Sequence, residues 1–308
     1  MEPNVSFEQI TVRSGDGYEL SVHVFDTPEP KAVIRFIHGM EEHQDRYIPF
    51  ASFLRENGYA VVTADLRGHG KTAPNLCHIA DREGDRRLTE DEEALLSYVQ
   101  QRWKGKPVYL FAHSMGTIIA RKLLQTKSGA FAGVALSGYP NPQAAAKAGI
   151  LLAGCLSAVK GKKGHSRLVD GMVLGGFAKA VKDASSPLDW LSVNRENVRK
   201  YSEDPLCGVP FTLGSYDALF RLLSDIDRPE NYRDVKEDLP ILLIAGEEDP
   251  CTGGEKGRGD SLDRLKRAGF RQIRTENLPG MRHEILNETD HEKVYRMILD
   301  FFDTCPAA

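Results

Sequence analysis

Tyr109-Leu110-Phe111-Ala112-His113-Ser114-Met115-Gly116-Thr117 is the stretch on which the reading of this chain turns. Residues 108–112 form a short, nearly continuous apolar run, as a strand buried on both faces requires. Residues 116–126 carry helical spacing. The two join without a loop, and Ser114 stands at the turn. The small residues Ala112 and Gly116 permit the strained backbone such a turn imposes and let the serine hydroxyl rise above the sheet. The usual pattern at this elbow is Gly-x-Ser-x-Gly, and here Ala112 replaces the first glycine. A serine in this place also suits a plain helix cap, so its meaning depends on what the rest of the chain supplies.

The same alternation extends on both sides. Residues 7–13, 19–25, 32–37, 59–64, 131–136, 240–245 and 272–278 read as strands, the first two joined through the turn Ser14-Gly15-Asp16-Gly17. Residues 47–56, 89–103, 260–268 and 291–302 read as helices, with Thr89 as the cap of the second and Glu92 as its reciprocal partner. Strands alternating with helices predict an α/β fold, a mostly parallel sheet covered by helices on both faces. Between Tyr139 and Lys236 no buried-strand run occurs; residues 143–160 and 168–182 read instead as helices rich in small residues. The expected organisation is a core in two parts, 1–138 and 237–308, with a helical cap inserted at 139–236. An insertion that leaves a strand's carboxyl end lies over the place where open α/β sheets bind ligands.

Composition narrows the function. The chain has 308 residues, 41% hydrophobic and 27% charged, with 40 basic against 44 acidic side chains. That mild acidity argues against a nucleic-acid binder. Cys77, Cys155, Cys207, Cys251 and Cys305 are odd in number and far apart, so they form no zinc or redox motif and fit a reducing compartment. The first residues lack a secretory leader's pattern. The longest apolar stretch, 148–159, falls well short of the roughly 20 residues that a bilayer span needs. A cytoplasmic chain is expected.

A serine hydroxyl needs a base, and the base needs an acid to orient it. Downstream of Ser114 stand His165, His283 and His291. His165 lies in the inserted segment beside Lys162 and Lys163, and His291 opens the closing helix; both read as surface residues. His283 follows the last strand, where a base belongs. The acid falls in Gly246-Glu247-Glu248-Asp249-Pro250, in which three carboxylates compete on chemistry alone. An oxyanion hole would use the Met115 N–H and, from the loop Phe36-Ile37-His38-Gly39-Met40, the Met40 N–H.

These residues resemble the α/β-hydrolase superfamily, in its lysophospholipase and monoacylglycerol lipase branch, which is grouped with serine aminopeptidase-like hydrolases. His38-Gly39-Met40-Glu41-Glu42-His43 with Arg46-Tyr47 is similar to that branch's His-Gly-x-Gly-Glu-His…Arg-Tyr segment. Asp65-Leu66-Arg67-Gly68-His69-Gly70-Lys71-Thr72 resembles its Asp-x-x-Gly-His-Gly-x-Ser, and the elbow its Gly-His-Ser-Met-Gly. The departures are Glu41 and Ala112 for glycine and Thr72 for serine. The resemblance implies Asp249 as the acid, supported by the turn that Pro250 sets behind it. It implies hydrolysis of a lipid monoester, a lysophospholipid or monoacylglycerol, through an acyl-enzyme on Ser114, with no cofactor and no metal.

The apolar positions Ile150, Leu151, Leu152, Leu156, Val159, Leu168, Val169, Met172, Val173, Leu174 and Phe177 are read mainly as cap core. A few of them are left for an acyl-binding wall and for transient contact with a membrane surface. A carboxylesterase of small esters, a thioesterase or a peptidase would use the same triad. A non-catalytic ligand-binding protein of this fold would have lost a member of it, and all three are present. Oligomeric state has no signal in the sequence.

Overall fold

In the computed structural model, which describes residues 6–141, 146–182 and 184–306, eight strands form one sheet. In chain order the elements are β1 (Glu8–Arg13), β2 (Glu19–Phe25), β3 (Val33–Ile37), α1 (Ile48–Glu56), β4 (Ala60–Ala64), α2 (Gly84–Arg102), β5 (Val108–His113), α3 (Met115–Lys127) and β6 (Gly133–Ser137). The helices α4 (Ala146–Lys160), α5 (Arg167–Val173), α6 (Gly175–Ala180), α7 (Arg195–Glu203) and α8 (Leu213–Ile226) come next. The chain closes with β7 (Ile241–Gly246), α9 (Gly254–Arg267), β8 (Ile273–Leu278) and α10 (His291–Thr304). The strand order is β1-β2-β4-β3-β5-β6-β7-β8, with β2 antiparallel to both neighbours and every later pair parallel. This is the α/β-hydrolase sheet.

The two-residue period of β3 builds both cores at once. Ile34 and Phe36 join Phe50 and Leu54 of α1 and Ile298 and Phe302 of α10 on one face. Val33 and Ile37 join Leu88 and Leu95 of α2 and Ile118 of α3 on the other. Arg35 points to that second side and is fully buried there, and its guanidinium meets Glu92 of α2 at 2.7 Å. Glu92 is therefore not a capping partner. The helix begins five residues before the expected Thr89, at Gly84, and the Thr89 hydroxyl donates back to the Asp85 carbonyl at 2.9 Å. The polar first turn hid the start, and the buried Leu88 is what binds that turn to the core.

The segment between β6 and β7 contains, among its described residues, helices and no strand. Expected residues 143–145 lie outside the described residues. The helix expected over 168–182 is two short ones, broken at Leu174, where Gly175-Gly176 follows. Most of the apolar positions pack as expected: Val169 is buried, Ile150, Leu152, Leu156 and Val173 lie against the main core, and Leu174 and Phe177 against a smaller one around Trp190. Helix α4 turns its small residues Ala146, Gly149, Ala153 and Ser157 inward and packs on α8, with the Phe220 ring against Gly149. Close approach of two helices needs small residues at the contact, so Ile150, Leu152 and Leu156 flank it half-buried and the far side of the helix faces out. Leu151 and Val159 are 71% and 87% exposed, and on α5 Leu168 and Met172 are exposed too, while Val169 is buried.

A Cβ on Gly149 would lie 2.8 Å from the Phe220 ring. Gly149→Val should cost about 1–3 kcal/mol by overpacking. Leu151→Ala on the outer face should stay within about 0.5 kcal/mol. Urea-denaturation midpoints of the two variants check the contrast.

Candidate active site

Ser114 links β5 to α3 with φ 50° and ψ −122°, a left-handed region rare for a residue with a side chain. Its N–H donates to the Ser137 carbonyl of β6 at 2.9 Å, and its carbonyl accepts from the Thr117 N–H and hydroxyl at 2.9 and 2.7 Å. These bonds hold the turn against its strain. Gly116 is required by space: a Cβ there would lie 2.4 Å from the Ile37 carbonyl oxygen of β3.

A second close approach delivers His283. At Gly246, the last residue of β7, a Cβ would lie 2.2 Å from the Met281 carbonyl oxygen, so the loop after β8 crosses directly over the strand end. That crossing sets His283 against Asp249. The Asp249 carboxylate accepts from the Cys251 N–H at 2.8 Å through one oxygen and from His283 Nδ1 at 2.9 Å through the other. His283 Nε2 lies 2.8 Å from the Ser114 hydroxyl. Asp249 and His283 are buried, whereas Ser114 is half-buried. The other candidates stay away: Glu247, Glu248 and His165 are exposed, and His291 donates to the Glu288 carbonyl. With a proton on Nδ1, the imidazole can take the serine proton at Nε2 while the carboxylate steadies the resulting charge.

Burial opposes protonation of His283, but the Asp249 charge and hydrogen bond outweigh it and raise the pKa above the ordinary imidazole value. His113, whose ring centroid is 4.7 Å from that of His283, is driven the other way by burial and by the His283 charge, to about 3, and stays neutral. The Trp190 ring covers His283 at 4.8 Å between centroids. Trp190 comes from the inserted segment, and no sequence pattern marked it.

Met40 follows β3 and Met115 opens α3, and both line a cavity of about 440 Å³ together with Ser114. The Met40 N–H makes no hydrogen bond among the described residues. A first-turn N–H such as that of Met115 has no acceptor within its own helix. The loop that carries Met40 is braced from behind. Glu42 accepts from the Gly39 N–H at 2.6 Å and from the Tyr47 hydroxyl at 2.5 Å. Arg46 bridges Glu42, at 2.8 Å, and Glu284, at 2.6 Å, and Asn197 of α7 donates to Glu284. Burial alone would push the Glu284 carboxyl up; the Arg46 guanidinium more than reverses this and holds it well below the usual range.

Glu41, the departure from glycine, keeps the left-handed backbone with φ 56°. Its carboxyl is buried beside the cavity, and one oxygen has no partner among the described residues. Burial, with the Asp170 charge adding to it, pushes the pKa up to about 8.

Two groups of described side chains have metal-ligand composition, Asp249 with Cys251 and His283, and His43 with Asp204 and Cys207. Each contains a histidine–carboxylate hydrogen bond, and in the first the same histidine also meets the Ser114 hydroxyl.

A family model described as "Serine aminopeptidase, S33" matches residues 28–290. A monoglyceride lipase of Homo sapiens is 29% identical over 236 residues, which cover 72% of this chain and 67% of the human protein. A monoacylglycerol lipase of Mycolicibacterium smegmatis is 25% identical over 272 residues, 86% of each chain. The crystal structure of a thermostable carboxyl esterase from Bacillus coagulans superposes with a TM-score of 0.88 at 26% identity, over 97% of this chain and 99% of that one.

Two outcomes follow from the charges. Because Asp249 raises the His283 pKa, kcat/KM should climb with pH through an inflection above the ordinary value of about 6.5. Asp249→Asn should lower that inflection and reduce kcat by about 10³–10⁴, read from pH–rate profiles on one ester. The raised Glu41 pKa means that the folded chain keeps a proton the unfolded chain releases. Its contribution to stability is whole below the ordinary carboxyl value of about 4.3 and is lost as pH rises through about 8. Glu41→Gln should flatten this decline in a series of thermal melts.

Proposed function

Since the chain belongs to the serine aminopeptidase family of α/β-hydrolases and is a serine hydrolase, we propose that it cleaves lipid monoesters, a monoacylglycerol or a lysophospholipid, through an acyl-enzyme on Ser114. His283 takes the hydroxyl proton as Ser114 Oγ attacks the ester carbonyl, and Asp249 holds the imidazole tautomer. The N–H groups of Met40 and Met115 receive the oxyanion. His283 then protonates the leaving alcohol, and water repeats the sequence to free the acid.

The observation that carries the lipid substrate is the cavity. It reaches Ser114 and is walled largely by apolar side chains, among them Ile118, Val173, Leu174, Phe177, Leu219 and Phe220. An acyl chain placed there would bury its methylenes at about 0.8 kcal/mol each. Residues 139–236 act in this reading as the cap that selects the substrate, over a core made of 1–138 and 237–308. The outward stripes Leu151-Cys155-Val159 and Leu168-Met172, at helical i, i+4 spacing, form the face that meets lipid, and Lys160, Lys162 and Lys163 lie beside them. Met172 belongs both to that face and to the cavity lining, which gives a lipid tail a route inward. No described helix is long and apolar enough to cross a membrane, so the contact is peripheral. All five cysteines are free, which supports a cytoplasmic setting.

Fatty-acid release from a monoacylglycerol, a lysophospholipid and a short p-nitrophenyl ester should rank the lipid monoesters above the short ester, and Ser114→Ala should abolish all three activities. Turnover of the short ester alone would discard the lipid substrate and keep the serine hydrolase. No turnover, together with no labelling of Ser114 by a phosphonate ester, would overturn the esterase reading.

A further inference from the structure

We propose that His43, Asp204 and Cys207 form a binding site for a zinc-type divalent metal ion, which ties the loop carrying Met40 to the inserted helical segment. The site is separate from the Ser114 chemistry and does not rest on the lipid reading.

Local structure brings the ligands together. Asp204 ends α7, and the turn after it, closed by the Leu206 N–H on the Asp204 carboxylate at 2.9 Å and the Cys207 N–H on the Asp204 carbonyl at 3.0 Å, sets Asp204 and Cys207 side by side. His43 arrives from the loop after β3, and its Nε2 lies 2.8 Å from the Asp204 carboxylate. The imidazole nitrogen, the carboxylate oxygen and the Cys207 sulfur all lie within 4.8 Å of one another. A tetrahedral ion with bonds of about 2.0 Å to nitrogen and oxygen and about 2.3 Å to sulfur fits inside such a triangle after small side-chain rotations, with water as the fourth ligand.

The donor set chooses the class of metal. One thiolate and one imidazole beside a single carboxylate suit zinc and its neighbours and are wrong for magnesium or calcium, which take oxygen. Charge balances as well: His43 binds through Nε2 as a neutral imidazole with its proton moved to Nδ1, and the Cys207 thiol proton goes to solvent, so a carboxylate and a thiolate offset the two positive charges. The nearby Arg46 is already held by Glu42 and Glu284. On the far side of the ring, the Asp45 carboxylate lies 4.0 Å from His43 Nδ1, too far for a direct hydrogen bond but close enough for its charge to favour a proton on Nδ1. His43 and Cys207 are buried, while the Asp204 side chain is 30% exposed and opens the site to solvent.

The consequence lies in the clamp. His43 is three residues after Met40, and Gly208, next to Cys207, donates its N–H to the Glu41 carbonyl at 2.9 Å. An ion held by both strands of this junction would fix the loop against the cap.

The test is titration of the metal-free, full-length protein with Co²⁺, which reports thiolate ligation and coordination number in its absorption spectrum. Wild type should bind one equivalent, with a sulfur-to-cobalt charge-transfer band and the visible bands of a four-coordinate ion, and Zn²⁺ should displace it. The charge-transfer band should vanish in Cys207→Ser and persist in Cys251→Ser. Asp204→Asn, at a half-exposed position that leaves the fold intact, should weaken Co²⁺ binding by about tenfold or more. Absence of the band in folded wild type, its survival in Cys207→Ser, its loss in Cys251→Ser instead, or unchanged affinity in Asp204→Asn would each overturn the site.

Discussion

The backbone at Ser114 is the constraint on which the rest of the structure depends. A left-handed conformation for a residue with a side chain costs about 1–3 kcal/mol and persists only where its surroundings over-determine it. Here they do. β5 is paired on both sides, with β3 and with β6, the Ser114 N–H is fixed to the Ser137 carbonyl, and α3 is pressed against the end of β3 at Gly116. Release of any of these contacts would let the turn relax and drop the hydroxyl away from His283. The apolar cores on the two faces of the sheet thus serve chemistry through geometry, by making the strand ends rigid where loops must meet to within a few tenths of an ångström.

Buried charge performs the same service for the loops. Arg46 lies between Glu42, which holds the Gly39 N–H, and Glu284, the neighbour of His283, and Asn197 ties α7 into the same network. Removal of one partner from such a group leaves an uncompensated charge, which is far more costly than the absence of the whole group. The loop that carries Met40, the loop that carries His283 and the helical segment between β6 and β7 are therefore coupled to one another. Asp249 raises the His283 pKa by its charge and hydrogen bond, while burial and the His283 charge keep the neighbouring His113 neutral.

Several elements were legible from local pattern, and those that were not share a cause. The strands of the parallel sheet read directly, because burial on both faces writes itself as an apolar run. The start of α2 did not, since its first turn is polar and only Leu88 reaches the core. Helix α4 was legible in part. Ile150, Leu152 and Leu156 pack against the core as read, yet its fully buried positions are the small Ala146, Gly149, Ala153 and Ser157, and the Phe220 ring against Gly149 shows why. Trp190 over His283 and the pairing of Arg35 with Glu92 depend on partners far away in the chain, so no window of sequence contains them.

The sequence by itself determined the order of the sheet's elements and the identity of the candidate serine, histidine and acid loop, because these depend on short-range patterns: an elbow without a loop, a strand end, a turn. Which of three neighbouring carboxylates meets the imidazole was decided by tertiary structure, since Glu247 and Glu248 point to solvent while the crossing of the Met281 loop over Gly246 delivers His283 to Asp249. So were the outward apolar face of α4 and α5, the coupling of three segments through Arg46, and the meeting of His43 with Asp204 and Cys207. Each of these joins residues more than a hundred positions apart or depends on which side of a helix a neighbour occupies, and only the packed chain sets that.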